Sequence, residues 1–313
     1  MEEYFKNALL KIDSRRSADF KYYRRYDLVY DRIIDHLGTD TPICELGVGT
    51  GPSHARWSFT TSGKVIGLEI SGPDQSVLKA SKFDHEQNRD HNMLQAYEWY
   101  NQCMEFWKKT NVDMDQLDIR WATDGFDPAQ AKLVIQDYPD LRLIINDSKH
   151  KQDVAPVFSD AWWPHMHPDA ILVQEDFGVS GGVGSRFQYS SKFDVEEALD
   201  SGWKIIDLRS ECNFPEELSD HHRNTTLRTV RDSDIENYSL QDWHKGNNCI
   251  GVKYQNPVWD KVFEGLKVIT LDNWNEYEDT FIEDGRFWRD DKTGFWYDKE
   301  NPEDAIPPRD REK

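Results

Sequence analysis

The sequence is sparing with cysteine. Four are spread through 313 residues (Cys44, Cys103, Cys212 and Cys249), with no CxxC pair. That excludes a disulfide framework and a cysteine zinc site, and it predicts reduced thiols in a cytoplasmic protein. Long hydrophobic runs are also missing: none approaches the roughly 20 residues that span a bilayer. The opening stretch, MEEYFKNALLKID, is charged throughout and does not read as a signal peptide. Positive charge is in deficit. There are 38 Lys and Arg against 58 Asp and Glu, a net charge of −20. Such a chain repels phosphate backbones and anionic lipid, so neither nucleic acid nor a membrane is an expected partner. Aromatics, at 13%, are plentiful, and the length suffices for a large packed core.

No internal repeat is present. In residues 1–37, Tyr26, Val29, Tyr30, Ile33, Ile34 and Leu37 recur at spacings of three and four, one buried helix face. Gly38 ends that helix, and Thr39-Asp40-Thr41-Pro42 is a turn. Short apolar runs follow at Pro42–Leu46, Lys64–Ile70, Asp118–Ala122, Leu141–Asn146, Ala170–Gln174, Trp203–Leu208 and Cys249–Tyr254. The first five alternate with helical segments, which predicts βαβ units and a parallel sheet buried on both faces. The last two are expected to close the sheet as an antiparallel edge pair. Residues 75–116, long and aromatic-rich, read as a helical insertion that adds core or a subunit contact rather than a lid. Residues 271–313 hold 14 acids and 7 bases. The expected divisions are an N-terminal helical segment (1–37), a sheet domain (38–255) and an acidic C-terminal extension (256–313).

The first strand leads into Glu45-Leu46-Gly47-Val48-Gly49-Thr50-Gly51. Glycines at 47, 49 and 51 permit a tight turn and a close approach to a ligand. A dinucleotide fingerprint, G-x-G-x-x-G, needs glycine at position 52, which is Pro52. The spacing present, G-x-G-x-G with an acid two residues before it, resembles the first motif of class I S-adenosylmethionine-dependent methyltransferases. That resemblance implies that the loop packs on the cofactor's amino-acid end and that Glu45 helps fix the loop or the ammonium. Glu69 ends the second strand, 18 residues after Gly51, where a carboxylate accepts both ribose hydroxyls of a nucleoside. The same place serves NAD. Asp124 follows the third run; the resemblance makes it the acceptor of the adenine amino group, and an Asx turn before Gly125 is the other reading.

The fourth run ends in Asn146-Asp147-Ser148-Lys149-His150 and the fifth in Gln174-Glu175-Asp176-Phe177-Gly178. Neighbouring parallel strand ends lie about 5 Å apart. Asp147, Glu175 and Asp176 should therefore converge at the ligand crevice. Each carboxylate pair at 4 Å repels by about 4 kcal/mol at an effective dielectric of 20. A hard divalent cation relieves this, and few oxygen ligands open to water suit Mg²⁺. Adjacent strand residues point to opposite faces, so Glu175 and Asp176 share one ion only where the strand has ended. His150 would stand beside a hydroxyl whose pKa the ion lowers, and imidazole is a workable general base near neutrality.

Ile145-Asn146-Asp147-Ser148-Lys149-His150, with Phe158, Trp163-Pro164, Pro168 and Val173-Gln174-Glu175-Asp176, resembles the block shared by macrocin- and mycinamicin-type sugar O-methyltransferases and their cephalosporin-hydroxylase-type relatives. The resemblance implies Asp147, Glu175 and Asp176 as Mg²⁺ ligands and His150 as general base. It covers about residues 20–255 without the insertion. Asn146 stands where Asp is common, His167-Pro168-Asp169-Ala170 replaces a Pro-Gly-Gly loop, and Lys149 takes the place of a small residue. His165-Met166-His167 falls before the fifth strand, at the far end from the crevice, and reads as surface loop. The glycines of 178–186 lack a Gly-Lys-Ser/Thr ending and suit an active-site loop.

The expected fold is a doubly wound α/β, mostly parallel seven-stranded Rossmann-like sheet. The expected activity is S-adenosylmethionine- and Mg²⁺-dependent methyl transfer to a hydroxyl of a sugar-like small molecule. An NAD-dependent oxidoreductase on a nucleotide sugar or polyol and a non-catalytic cofactor-binding module remain as alternatives. Homo-oligomerisation stays open.

Overall fold

The computed structural model describes residues 26–49, 51–70, 100–148, 154–175, 177, 192–208 and 249–276 (side chains of 27, 154 and 192–194 excepted), and the backbone of 287–289, 296–298 and 305–306. Within these, helix α1 (Asp27–Leu37) precedes β1 (Ile43–Leu46), α2 (Pro52–Thr60) and β2 (Val65–Glu69). A helix over 100–109 (α3) leads to β3 (Leu117–Trp121), α4 (Pro128–Asp137), β4 (Leu143–Asn146), α5 (Val154–Trp162) and β5 (Ile171–Gln174). Then come α6 (Lys192–Asp200), β6 (Lys204–Asp207), β7 (Cys249–Tyr254), α7 (Val258–Val262) and β8 (Lys267–Ile269). Three short strands, β9 (Phe287–Arg289), β10 (Trp296–Asp298) and β11 (Ala305–Ile306), form a separate antiparallel sheet.

The main sheet has the order β3-β2-β1-β4-β5-β7-β6-β8. Strands β1 to β5 are mutually parallel. Every residue of β1, β2, β4 and β5 is buried, as a sheet covered on both faces requires. β3, half-buried throughout, is an edge. This is the expected α/β, doubly wound and mostly parallel fold, with one addition. β6 and β7 do pair antiparallel, but they are not the edge, because β8 pairs antiparallel with β6. The sheet therefore has eight strands rather than seven. Lys267–Ile269 is only three residues long and inside an acidic stretch, so its period-2 signal was too short to stand out. Part of the stretch expected to be an extension is thus built into the sheet. The 75–99 part of the expected insertion lies outside the described residues.

Alternation along the strands splits the core. Cys44, Leu46, Ile66, Leu68, Ile144 and Leu172 pack against Ala131 and Val134 of α4, Phe158 and Trp162 of α5, and Ala198 and Leu199 of α6. Ile43, Val65, Leu143, Ile145, Ile171 and Val173 face the other way, onto Val29, Tyr30 and Ile33 of α1, Trp57 of α2 and Trp259. The apolar stripe expected for α1 is the stripe that is buried, and the helix stops at Gly38, whose φ is +93°. Among the described residues no helix is long and apolar enough to cross a membrane. Cys44, Cys103 and Cys249 are buried and not joined in disulfides, and Cys212 lies outside the described residues.

Chain order reverses between β1 and β4, which are adjacent with β2 on one side and β5 on the other. In open α/β sheets the crevice beyond the strand ends at such a reversal is where ligands bind. Just past β5, Phe177 is fully buried, and its N–H donates to the Cys249 carbonyl at 3.0 Å. Its ring lies over Gly251 of β7, where an added Cβ would run into it. Gly251→Ala should therefore destabilise the fold by roughly 1–3 kcal/mol through overpacking. Urea unfolding with near-ultraviolet dichroism, which reports the Phe177–Trp203 stack at 5.8 Å, checks this.

Candidate functional site

The glycine turn after β1 sits at the reversal and is held from three sides. Gly47, Gly49 and Gly51 have φ of +95°, +53° and +85°, a region that L side chains rarely enter. A Cβ at Gly47 would press on the Asp147 carbonyl at 2.8 Å, and one at Gly51 on Cys103 Sγ at 2.5 Å. At Gly49 it would meet none of the described residues within 4 Å. The outer two glycines thus serve packing, and the central one is clear of the other described residues. Pro52 opens α2 directly after Gly51, a position where its missing N–H costs nothing. Thr50 lies outside the described residues.

Glu69, at the end of β2 as expected, has a local task. Its Oε2 accepts the backbone N–H groups of Val48 at 2.8 Å and Gly49 at 2.9 Å. The carboxylate fixes the turn across the β1–β2 gap, and such charge-assisted bonds are strong. Glu45 lies in β1, two residues before the turn. It is 1% exposed and accepts the Trp57 indole N–H, which ties β1 to the helix that the turn enters. Asp124 forms the Asx turn: Oδ1 accepts the Phe126 N–H at 2.9 Å, and the backbone carbonyl accepts that of Asp127. The Thr123 N–H donates to the Glu69 carbonyl, so this turn stays beside the end of β2.

The acids of the fourth and fifth strand ends are brought together where the described residues include them. β4 and β5 pair Asn146 with Gln174, so the next residues, Asp147 and Glu175, are neighbours on adjacent chains. The Glu175 N–H donates to the Asn146 carbonyl and the Asp147 N–H to the Leu46 carbonyl, which continues the ladder past the strand ends. Both strands have ended by residues 147 and 175, the condition for residue 176 to join them. Asp176 and His150 lie outside the described residues. Among the described residues, no three His, Cys, Asp or Glu side chains gather as a metal site. Two oxygen donors on neighbouring strand ends, Asp147 and Glu175, are in kind the ligands that a hard cation such as Mg²⁺ takes.

Two further polar groups brace this end of the sheet. Asn146, fully buried, donates to Gln174 Oε1 at 2.6 Å, and its Oδ1 accepts the Ser148 N–H and hydroxyl at 3.1 and 2.7 Å. Asparagine has both a donor and an acceptor for this, which explains its presence where an acid is common. On the opposite face, the Tyr30 hydroxyl donates to Glu175 Oε1 at 2.6 Å. Sequence reasoning placed Tyr30 in a core stripe and gave no sign of that bond. The His165-Met166-His167 pair precedes β5, at the end away from this crevice.

His54 of α2 was also missed. It is fully buried, and its Nδ1 lies 3.9 Å from Glu45 Oε2. Neither ring nitrogen has a well-formed hydrogen bond. Burial pushes the imidazole down to about 3, with only weak opposition from the Ile66 backbone. The folded value is below the unfolded one near 6.5, so protonation favours unfolding. The associated stability is complete above about pH 6.5 and falls by up to about 1.4 kcal/mol per pH unit as pH drops towards 3. His54→Leu should remove this part of the acid sensitivity. Between pH 7.5 and 4.5, urea midpoints should fall more for the wild type than for the variant, by roughly 2 kcal/mol in free energy.

No family model matches the sequence, and no curated protein does. Among solved structures, the chain is similar to MycE methyltransferase from the mycinamycin biosynthetic pathway in complex with Mg, SAH and mycinamycin VI, at 20% identity and a TM-score of 0.32. That match covers 48% of this chain and 34% of MycE, so the chain spans about a third of that protein's length. It is also similar to the O-methyltransferase TomG from Streptomyces achromogenes in complex with SAM (13% identity, 62% of this chain, 76% of TomG, TM-score 0.36). An O-methyltransferase from Bacillus cereus in complex with SAH matches at 11% identity, over 55% of this chain and 65% of that one, with a TM-score of 0.31.

Proposed function

We propose that the protein is an S-adenosylmethionine-dependent O-methyltransferase that uses Mg²⁺ and acts on a hydroxyl of a sugar or glycosylated small molecule. The observation that carries this reading is the braced glycine turn at the strand-order reversal, with Gly49 clear of the other described residues and the Asp147 carbonyl packed directly behind Gly47. In this reading the turn (Gly47, Gly49, Thr50, Gly51) receives the cofactor's amino-acid end. Glu69 stands at the ribose and Asp124 at the adenine, while Glu45 supports the turn through Trp57. Pro52 in the place of the third fingerprint glycine weighs against a dinucleotide.

Asp147, Glu175 and Asp176 would hold the ion, which, when bound, lowers the pKa of a substrate hydroxyl by several units. His150 would take the proton from that hydroxyl. The acids and the turn would align the oxygen with the methyl group, and alignment supplies much of the rate. The sugar-like acceptor rests on the resemblance of the Asp147–His150 and Glu175–Asp176 blocks.

Calorimetry with S-adenosylhomocysteine, with and without Mg²⁺, tests the proposal. Wild type should bind it, and NAD should give no heat. Gly49→Ala meets no atom of the described residues, so it should fold with a cost of about 1 kcal/mol for the left-handed backbone. Its added methyl should nevertheless weaken S-adenosylhomocysteine binding at least tenfold. His150→Ala should bind the cofactor normally and lose turnover, and Asp147→Asn should lose the Mg²⁺ response. NAD binding in place of S-adenosylhomocysteine would replace methyl transfer with hydride transfer as the reading. Cofactor binding that ignores EDTA, with no product from any hydroxyl acceptor, would leave a binding module.

A further inference from the structure

We infer that Tyr30, on the helix that precedes the sheet, is a positioning residue for the metal-binding carboxylate Glu175. The inference rests on the metal site proposed above and adds to it a residue from a different part of the chain. The Tyr30 hydroxyl donates to Glu175 Oε1 at 2.6 Å across 145 residues of sequence. A carboxylate has about four lone-pair sites, so one that accepts a hydroxyl still ligates an ion, with its plane and rotamer set by the donor.

The donor is itself held firmly. Tyr30 is fully buried, and its ring meets Trp57 edge-on at 5.0 Å between centroids. The Arg56 guanidinium lies 5.6 Å from the Tyr30 ring centroid and 4.1 Å from that of Trp57. Val29, Ile33 and Ile34 on the same stripe pack on the sheet, and Arg32 donates to the Val262 and Glu264 carbonyls at 3.1 and 2.7 Å. The helix is therefore pinned at both the sheet and the end of α7. A tyrosine side chain has two rotatable angles, and a packed ring leaves its oxygen little freedom. Burial alone would be served as well by phenylalanine, whereas the bond to Glu175 needs the hydroxyl. The Trp57 that packs on Tyr30 also donates to Glu45, so the ligand turn and the acid pair are braced through one aromatic contact.

Mn²⁺ alone, titrated into the full chain and followed by electron paramagnetic resonance, reads ion affinity without turnover. Tyr30→Phe should raise the Mn²⁺ Kd at least tenfold, within the 10–100-fold range seen for partners of metal ligands, and change S-adenosylhomocysteine affinity less than twofold. Ile33→Val, on the same stripe, loosens packing but keeps the hydroxyl, and its Mn²⁺ Kd should stay at the wild-type value. Equal affinity in Tyr30→Phe and wild type, with Asp147→Asn losing the ion, would overturn the role of Tyr30 and leave the metal site standing. Equal losses in Ile33→Val and Tyr30→Phe would overturn it by reducing the effect to packing. Wild type and Asp147→Asn binding Mn²⁺ alike would remove the metal site, and the inference with it.

Discussion

The carboxylate of Glu69 accepts two consecutive backbone N–H groups, from Val48 and Gly49, and the candidate site depends on that pair of bonds. A turn with three left-handed glycines has little intrinsic preference for one shape, because glycine loses the most conformational freedom on ordering. An anion at the end of the next strand converts that freedom into a single curvature. It does so from the side, across the β1–β2 ladder, and leaves the face above Gly49 clear of the other described residues. Gly47 can then lie against the Asp147 backbone, which brings the turn after β1 and the acid after β4 to the same crevice. The fold's reversal of strand order supplies the crevice, and the Glu69 bonds give it a defined wall.

Much of this was legible in the sequence because it follows local rules. The strands β1, β2, β4 and β5 are short, mostly apolar runs, and their doubly buried character shows as near-continuous hydrophobicity, interrupted inside β1 by Glu45. The α1 stripe and its stop at Gly38 follow from a 3.6-residue period and a positive φ. Strand-end acids could be placed side by side from topology alone, since a parallel sheet delivers its C-terminal ends to one edge. What local rules cannot carry is where a side chain goes once two elements meet. The contact of Glu69 Oε2 with the turn depends on how closely the ends of β1 and β2 approach. Asp124 makes the Asx turn through its Oδ1, a contact set within the loop itself.

The less legible parts have a common cause. β8 is three residues of ordinary composition, and it becomes a strand because β6 offers it an unpaired edge. His54 looks like a surface residue of a short polar helix until α2 is laid on the sheet, where Glu45 and Gly67 surround it. Tyr30 has the periodicity of a core residue and is one, but its hydroxyl extends past the core to Glu175. In each case the sequence carries the residue's class, and the partner is set by tertiary contact over tens of residues or more.

The two faces of the sheet treat the same strand ends differently, and this bears on how such a site stays ordered. Asn146 and Gln174 point to one face and bond to each other, to Ser148 and to the Glu175 carbonyl. These groups are neutral, and burying them costs little once they are mutually satisfied. Asp147 and Glu175 follow immediately, where the strands have ended. Charged residues one position earlier would fall inside the ladder and face the α4–α5 core, where an unpaired carboxylate would cost several kcal/mol. The sequence thus changes from amide to acid at the point where the chain leaves the sheet. The neutral pair holds the two strand ends in register, and the acids beyond it inherit that register without having to be buried themselves.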